Sequence, residues 1–297
     1  MELGSEETCS SGRLKVRELK TYIYMPKSRG RMEINMRFLK LYKTFMVQHL
    51  KKLMEYRVDF LTGAMSFLIN QITNVVFIGI IFSQIPNLDG YLFYEIIFIY
   101  GFSLVPKGID HLFTDNLWKV AWFVVRKGDF DKYLTRPISP LAHVIMESIQ
   151  FDALGELLVG IILMVVASIK LSIDYNVVNV TLMIIAMIFG TLIFTSIKIA
   201  CAAIAFWIKQ SGSILQIFYM SSDFAKYPVT IYNNIVKNII TYIIPFAFTA
   251  YYPASYILRG NNPVFCIGGV VILSTIFMVL SVIVWNKGLD AYESAGS

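Results

Sequence analysis

The stretch FLTGAMSFLINQITNVVFIGIIFSQIPNL, Phe60–Leu88, contains no Asp, Glu, Lys or Arg. About 20 apolar residues in helix cross the roughly 30 Å hydrocarbon core of a bilayer, so this stretch is long enough to span one. Within Phe60–Phe82 the 13 Leu, Ile, Val and Phe residues favour insertion by about 4–8 kcal/mol, which outweighs Asn70, Gln71 and Asn74. Three further runs, 175–197, 238–258 and 260–286, are also free of charge. Over all 297 residues 56% are apolar and 15% charged, against about 45–50% and about 25% in a soluble domain. The expectation is an all-α, multi-pass membrane protein.

Working outward from the first span, residues 1–31 are polar and mixed in charge, broken by Ser10, Ser11, Gly12 and Pro26, and read as a poorly ordered extension. Over 32–59, Phe38, Leu39, Tyr42, Phe45, Met46, Leu50, Leu53 and Met54 recur at helical spacing, with Arg37, Lys40, Lys43, Lys51 and Lys52 between them. That pattern predicts a basic amphipathic helix lying on anionic membrane lipid.

Residues 60–297 then read as a six-span domain. The second span runs from about Tyr91 to Val105; after it Pro106, Lys107, Asp110, His111 and Asp115 imply an exit from the membrane or a wet cavity. The third covers about Ile149–Ile169 and the last about Val264–Trp285. The fourth starts near Val177 and stays apolar to Ile208 except at Lys198, so it either projects beyond the bilayer or turns near Lys198. Hydropathy makes Asn238–Leu258 the fifth span. Pro245 and Pro253 lie within it, however, and each removes a backbone donor that lipid cannot replace. A re-entrant element there, with the fifth span moved back to about Ala200–Ser222, is the alternative.

Of the 26 Lys and Arg residues, 13 precede Asp59, while the loop 83–90 has none. The positive-inside rule therefore places both termini in the cytoplasm, and the +6 charge reads as a membrane-face feature rather than a nucleic-acid surface. Cys9, Cys201 and Cys266 are scattered and without CxxC spacing, and His49, His111 and His143 lack helical pairing, so no metal site is expected. No G-x-x-x-x-G-K-[ST] loop is present to cradle a nucleotide phosphate, and no G-x-S-x-G or H-E-x-x-H arrangement points to hydrolysis. An enzyme is not expected.

Between spans two and three, RKGDFDKYLTRPISPL (Arg126–Leu141) is a short charged element bracketed by Gly128, Pro137 and Pro140 and flanked by aromatic residues. It fits a partner's groove, or is a solvated loop. Together with DFAKYPVTIY (Asp223–Tyr232), IIPFAFTAYYPASYILRG (Ile243–Gly260) and the ending WNKGLDAYESAGS, it resembles the ABC-2 type transporter permease family, bacterial exporter membrane subunits of six spans. The resemblance covers about Met32 to the C-terminus. It implies a bacterial plasma-membrane conduit that pairs with a second permease, as homodimer or heterodimer, and recruits ATP-binding cassette subunits. ATP and magnesium would be held by those partners, with no cofactor of its own. Arg126, Gly128, Asp131, Leu134, Arg136 and Pro137 match the family's R-x-G-x-x-D-x-x-L-x-R-P pattern, where such exporters place a coupling helix. Tyr227, Pro228, Pro245, Phe246 and Pro253 match its proline-rich pattern before the last span, which favours the re-entrant reading.

Ionisable residues at membrane depth are functional candidates by default. Asp152 and Glu156 share a helical face, and Lys198 is expected either to pair with one of them or to form a polar entry to a substrate path. Gly63, Ser66, Asn70 and Asn74 form a stripe suited to helix packing or to lining a pathway. Two other functions stay open: an ion-coupled transporter or channel using Glu95, Asp152, Glu156 or Lys198, and a non-transporting scaffold.

Overall fold

The computed structural model describes residues 46–47 and 57–293. The extension expected over 1–31 and nearly all of the basic helix expected over 32–59 lie outside the described residues. Among the described residues the regular structure is helical, and the only β feature is an isolated bridge between Leu88 and Tyr91. In chain order the α-helices are α1 (Arg57–Gln84), α2 (Phe93–Thr114), α3 (Asn116–Lys119), α4 (Asp131–Leu134), α5 (Pro140–Glu147) and α6 (Leu154–Leu171). Then come α7 (Val177–Ile208), α8 (Gly212–Ser221), α9 (Asn234–Asn238), α10 (Tyr251–Arg259) and α11 (Gly269–Ala291). Five segments among the described residues are long and apolar enough to cross a membrane: Leu61–Gln84, Phe93–Thr114, Phe151–Leu171, Val177–Ile208 and Val264–Ala291.

Two helix pairs make the core, each closed by glycine. A Cβ on Gly101 of α2 would lie 2.9 Å from the Gly160 carbonyl oxygen of α6, so these backbones touch in a way only a missing side chain permits. In the second pair, a Cβ on Gly288 of α11 would lie 2.7 Å from the Phe206 ring and 3.0 Å from the Ala203 carbonyl of α7. The pairs meet where the Pro106 ring faces Gly190, and there the Thr191 hydroxyl donates to the Pro106 carbonyl at 3.2 Å. Helix α1 stands at the edge. Its inner face seats the buried Gln71, which accepts from the Tyr100 hydroxyl, and leaves Leu61, Met65, Ile69, Ile72, Val76 and Ile80 exposed.

The second helix continues past Val105, through Pro106 to Thr114, because its polar last turns are largely enclosed by protein. Of the two alternatives for the fourth, the chain does not turn at Lys198: it is one helix of 32 residues, about 48 Å long, longer than the hydrocarbon core. Asn176 caps its start by accepting from the Asn179 amide, and Lys209 ends it in the left-handed region at φ 66°.

Neither version of a continuous fifth span is present. Ala200–Ser222 is divided at Lys209–Ser211, and Asn238–Leu258 is broken after a π-helical turn, Ile239–Ile243. Ile244 is pushed out of helical geometry, to φ −128° and ψ 83°, by the proline that follows it. A 3-10 turn, Phe246–Thr249, comes next and buries Phe246 against Phe194, ring centroids 5.1 Å apart. Pro253 falls in the first turn of α10, where its missing N–H leaves no helical bond unmade.

Candidate functional site: loop face and buried ionic network

The loop between α2 and α6 is anchored by aromatic side chains. Phe130 is fully buried, its ring centroid 4.8 Å from Phe206 of α7, 6.1 Å from Trp285 of α11 and 5.4 Å from Tyr292. Gly128, at φ 78°, supplies the left-handed turn that sends the chain inward to Phe130. Asp131 accepts from the Tyr292 hydroxyl at 3.0 Å, and Leu134 packs half-buried on the core. Glu147, at the end of α5, accepts from Lys132 at 2.9 Å, from Asn116 at 3.2 Å and from the Tyr133 hydroxyl.

Burial pushes the Glu147 carboxyl up, but the bonds from Tyr133 and Lys132 outweigh it and hold the group below the usual glutamate value. Arg136 reaches His143 at 3.2 Å. Burial, and then that guanidinium, depress the imidazole's affinity for a proton. Arg126, Lys127, Asp129, Arg136 and Pro137 remain exposed. The six residues carried over from the motif thus divide: Gly128, Asp131 and Leu134 shape the loop, and Arg126, Arg136 and Pro137 form its outer face.

A second constellation lies within the bundle. Lys198 of α7, fully buried, bonds Asp110 at 2.8 Å and Asp115 at 3.1 Å. Asp110 also accepts from Thr114 at 2.6 Å, Thr195 at 2.9 Å and the Tyr219 hydroxyl of α8 at 3.2 Å. The pairing expected of Lys198 with Asp152 or Glu156 is therefore corrected. Glu156 instead bonds His111 at 2.7 Å, and the His111 ring stacks on Tyr219. Asp152 is half-buried beside Gly63, where a Cβ would lie 3.4 Å from its carboxylate. Next to the network, Asp223 joins Lys226 at 3.0 Å and Lys107 at 3.5 Å. Buried ion pairs hold only when geometry and further hydrogen bonds offset desolvation, and Asp110 meets that condition on both oxygens.

Of the α1 stripe, Asn70 is exposed and Asn74 donates to its carbonyl at 2.9 Å and its side-chain oxygen at 3.0 Å. Contact with the neighbouring helices is shared: Gln71 and Asn74 meet Tyr100 of α2, and Gly63 of the stripe lies against Asp152. In the proline-rich segment Pro228, Pro245, Phe246 and Pro253 are buried and Tyr227 half-buried, so these residues shape a broken stretch rather than a surface. Among the described residues no group of three or more His, Cys, Asp or Glu is placed to hold a metal ion.

Compared with protein families, residues 68–296 match the family described as ABC-2 family transporter protein. The chain belongs to that family. No curated protein and no solved structure gives a significant match. This ABC-2 family protein is accordingly a multi-pass membrane protein of the kind that serves as a transporter's membrane subunit.

The ABC-2 protein also contains functional candidates that the sequence reading passed over. Asp110 and Asp115 signalled the end of a span there, yet a charge at depth equally signals a partner, and Lys198 was the one cation deep enough to supply it. His111 reads in the sequence as a sign of the span's end and as an isolated imidazole, not as the partner of Glu156. Phe130 and Tyr133 lie inside the charged element and carry no local signal, since Phe206 and Trp285, which bury Phe130, stand far along the chain.

Proposed function

We propose that the chain is the conduit-forming subunit of an ATP-driven exporter, coupled through the Arg126–Pro137 loop to a separate subunit that binds ATP and magnesium. The observation that carries this reading is how the loop is seated: Phe130, within the motif, packs on Phe206 of α7 and Trp285 of α11 and Asp131 holds Tyr292, while Arg126, Arg136 and Pro137 stay exposed. A loop meant only to link two spans needs no such anchorage. A second permease completes the conduit, both termini face the cytoplasm of a bacterial cell, and the broken stretch 238–258 re-enters the membrane from the outer side. The positive-inside imbalance and the prolines support the last two points.

The rival ion-coupled reading draws on Glu95, Asp152, Glu156 and Lys198. These do not form one site: Glu95 caps α2 and meets Arg259, Asp152 lies beside α1, and the other two pair separately. Charge reversal of two exposed loop residues, Lys127→Glu with Arg136→Glu, tests the coupling role in membranes containing the ATP-binding subunit. Association, or transport per ATP hydrolysed, should fall about tenfold, a coupling loss of about 1.4 kcal/mol. Unchanged association together with unchanged transport overturns the assignment.

A further inference from the structure

The turn between α7 and α8 is seated directly on the loop that leaves α2. Gly212, the first residue of α8, lies flat against the Trp122 indole, and a Cβ on Gly212 would sit inside the ring's van der Waals surface. The preceding residue ties the same two segments: the Ser211 amide donates to the Ala121 carbonyl at 2.8 Å. One residue earlier, the Arg126 guanidinium donates to the Gln210 side chain at 2.8 Å. Three consecutive residues of the turn are thus held by three residues of the loop. Trp122 and Ala121 belong to a π-helical turn, Val120–Val124, a geometry that recurs at functional positions in helices.

A second tie lies one layer deeper. Tyr219 of α8 donates to Asp110 of α2, and Asp110 and Asp115 flank the exit of α2 into the loop. Both aspartates hold Lys198 of α7. Helix α8 is therefore fixed to the loop at its first residue and to α2 nearly two turns on, and beyond α8 the chain leads into the broken stretch at 238–258. The loop cannot be displaced without either carrying the α7–α8 turn with it or tearing Gly212 from the indole.

We infer that Gly212 and Trp122 form a mechanical joint, positioning residues through which displacement of the Arg126–Pro137 loop is passed to α8. The inference rests on the coupling role proposed for that loop and adds the route that the movement takes inside this chain. Gly212 is required because no other residue allows the backbone to touch the indole. Trp122 supplies the apolar surface on which Gly212 rests, a part that a smaller apolar side chain can take once residue 212 carries a methyl group.

Spin labels on the exposed Lys127 and on the exposed Gln216 of α8, with a reference label on Tyr175 in the loop between α6 and α7, test the joint in the reconstituted complex. On adding a non-hydrolysable ATP analogue, both labels should shift relative to residue 175 while the 127–216 distance holds. A 127–216 distance that changes as much as either reference distance overturns the joint and leaves the coupling role intact. Absence of any movement at Lys127 overturns both.

Gly212→Ala gives a second readout. The variant should assemble and hydrolyse ATP, with transport per ATP down about tenfold. Adding Trp122→Leu, which makes room for the new methyl group, should recover most of that ratio. Full transport per ATP in Gly212→Ala alone refutes the joint.

Discussion

Residues 177–208 and 238–258 are both strongly apolar, yet one is a single helix of 32 residues enclosing a lysine and the other is broken into a π-helical turn, a 3-10 turn and a short helix. The difference is not hydropathy. A lysine interrupts the side-chain pattern but leaves the backbone ladder whole, and Asp110 and Asp115 satisfy its charge. A proline interrupts the ladder itself. Nor is proline alone decisive, because α2 runs straight through Pro106, where Gly190 makes room for the ring and Thr191 donates to the proline's carbonyl. Pro245 is followed by residues whose burial favours non-helical geometry, with Phe246 packed on Phe194 and Thr249 donating to the Phe246 carbonyl at 2.8 Å. Continuity thus follows from what neighbouring elements supply.

The most damaging way to break this comparison is Lys198→Met. It leaves Asp110 and Asp115 facing each other without a cation, a loss of about 3–5 kcal/mol for a buried pair deprived of one partner. Thermal unfolding in detergent should show it, and adding Asp110→Asn should return part of the loss. Equal stability of the single variant and the parent would mean that the lysine is not what keeps α7 tied to α2.

Pro245→Ala sharpens the other side. Restoring an N–H should change stability by no more than about 1 kcal/mol and leave the break in place, since the packing of Phe246 outlasts the proline. Cysteine accessibility along 238–258 should keep its interrupted pattern. A uniform helical period in that scan would make the proline the sole cause.

The smallest effect concerns the loop beneath the end of α7. Glu147 is held below its ordinary value and His143 is held neutral by burial, so in both cases the unfolded chain binds protons more readily than the folded one. Their contributions are complete at neutral pH and fade as pH falls, His143 first on passing below its unfolded value of about 6.5 and Glu147 later through the carboxylate range. Glu147→Gln should flatten the carboxylate part of the acid limb of a stability profile and deepen the histidine step, because the Glu147 charge partly offsets the depression of His143. An unaltered acid limb counts against the Tyr133–Glu147–Lys132 arrangement.

The positions of four long apolar helices, the presence of α2 and the loop motif were legible in the sequence because charge-free runs and bracketed charges are local signals. The partner of Lys198 was not. Asp110 and Asp115 read as water-facing when taken with Lys107 and Pro106, and only the crossing of α2 with α7 turns them inward. The fifth span failed for a related reason: composition reports how apolar 238–258 is, but its backbone path depends on Phe194, which the sequence places far away. In the loop, the motif's spacing was readable, whereas the split between anchoring and outward residues depends on Trp285 and Tyr292 at the other end of the chain.

That last dependence sets an order of events during synthesis. The Arg126–Pro137 loop emerges from the ribosome early, when Phe206, Trp285 and Tyr292 do not yet exist, so Phe130 at first has no aromatic bed to enter. Its outer face takes shape only when the final helix is in place. A chain stopped short of α11 would insert its first spans yet leave the loop without its aromatic bed, so a finished loop face reports that the last helix is in place.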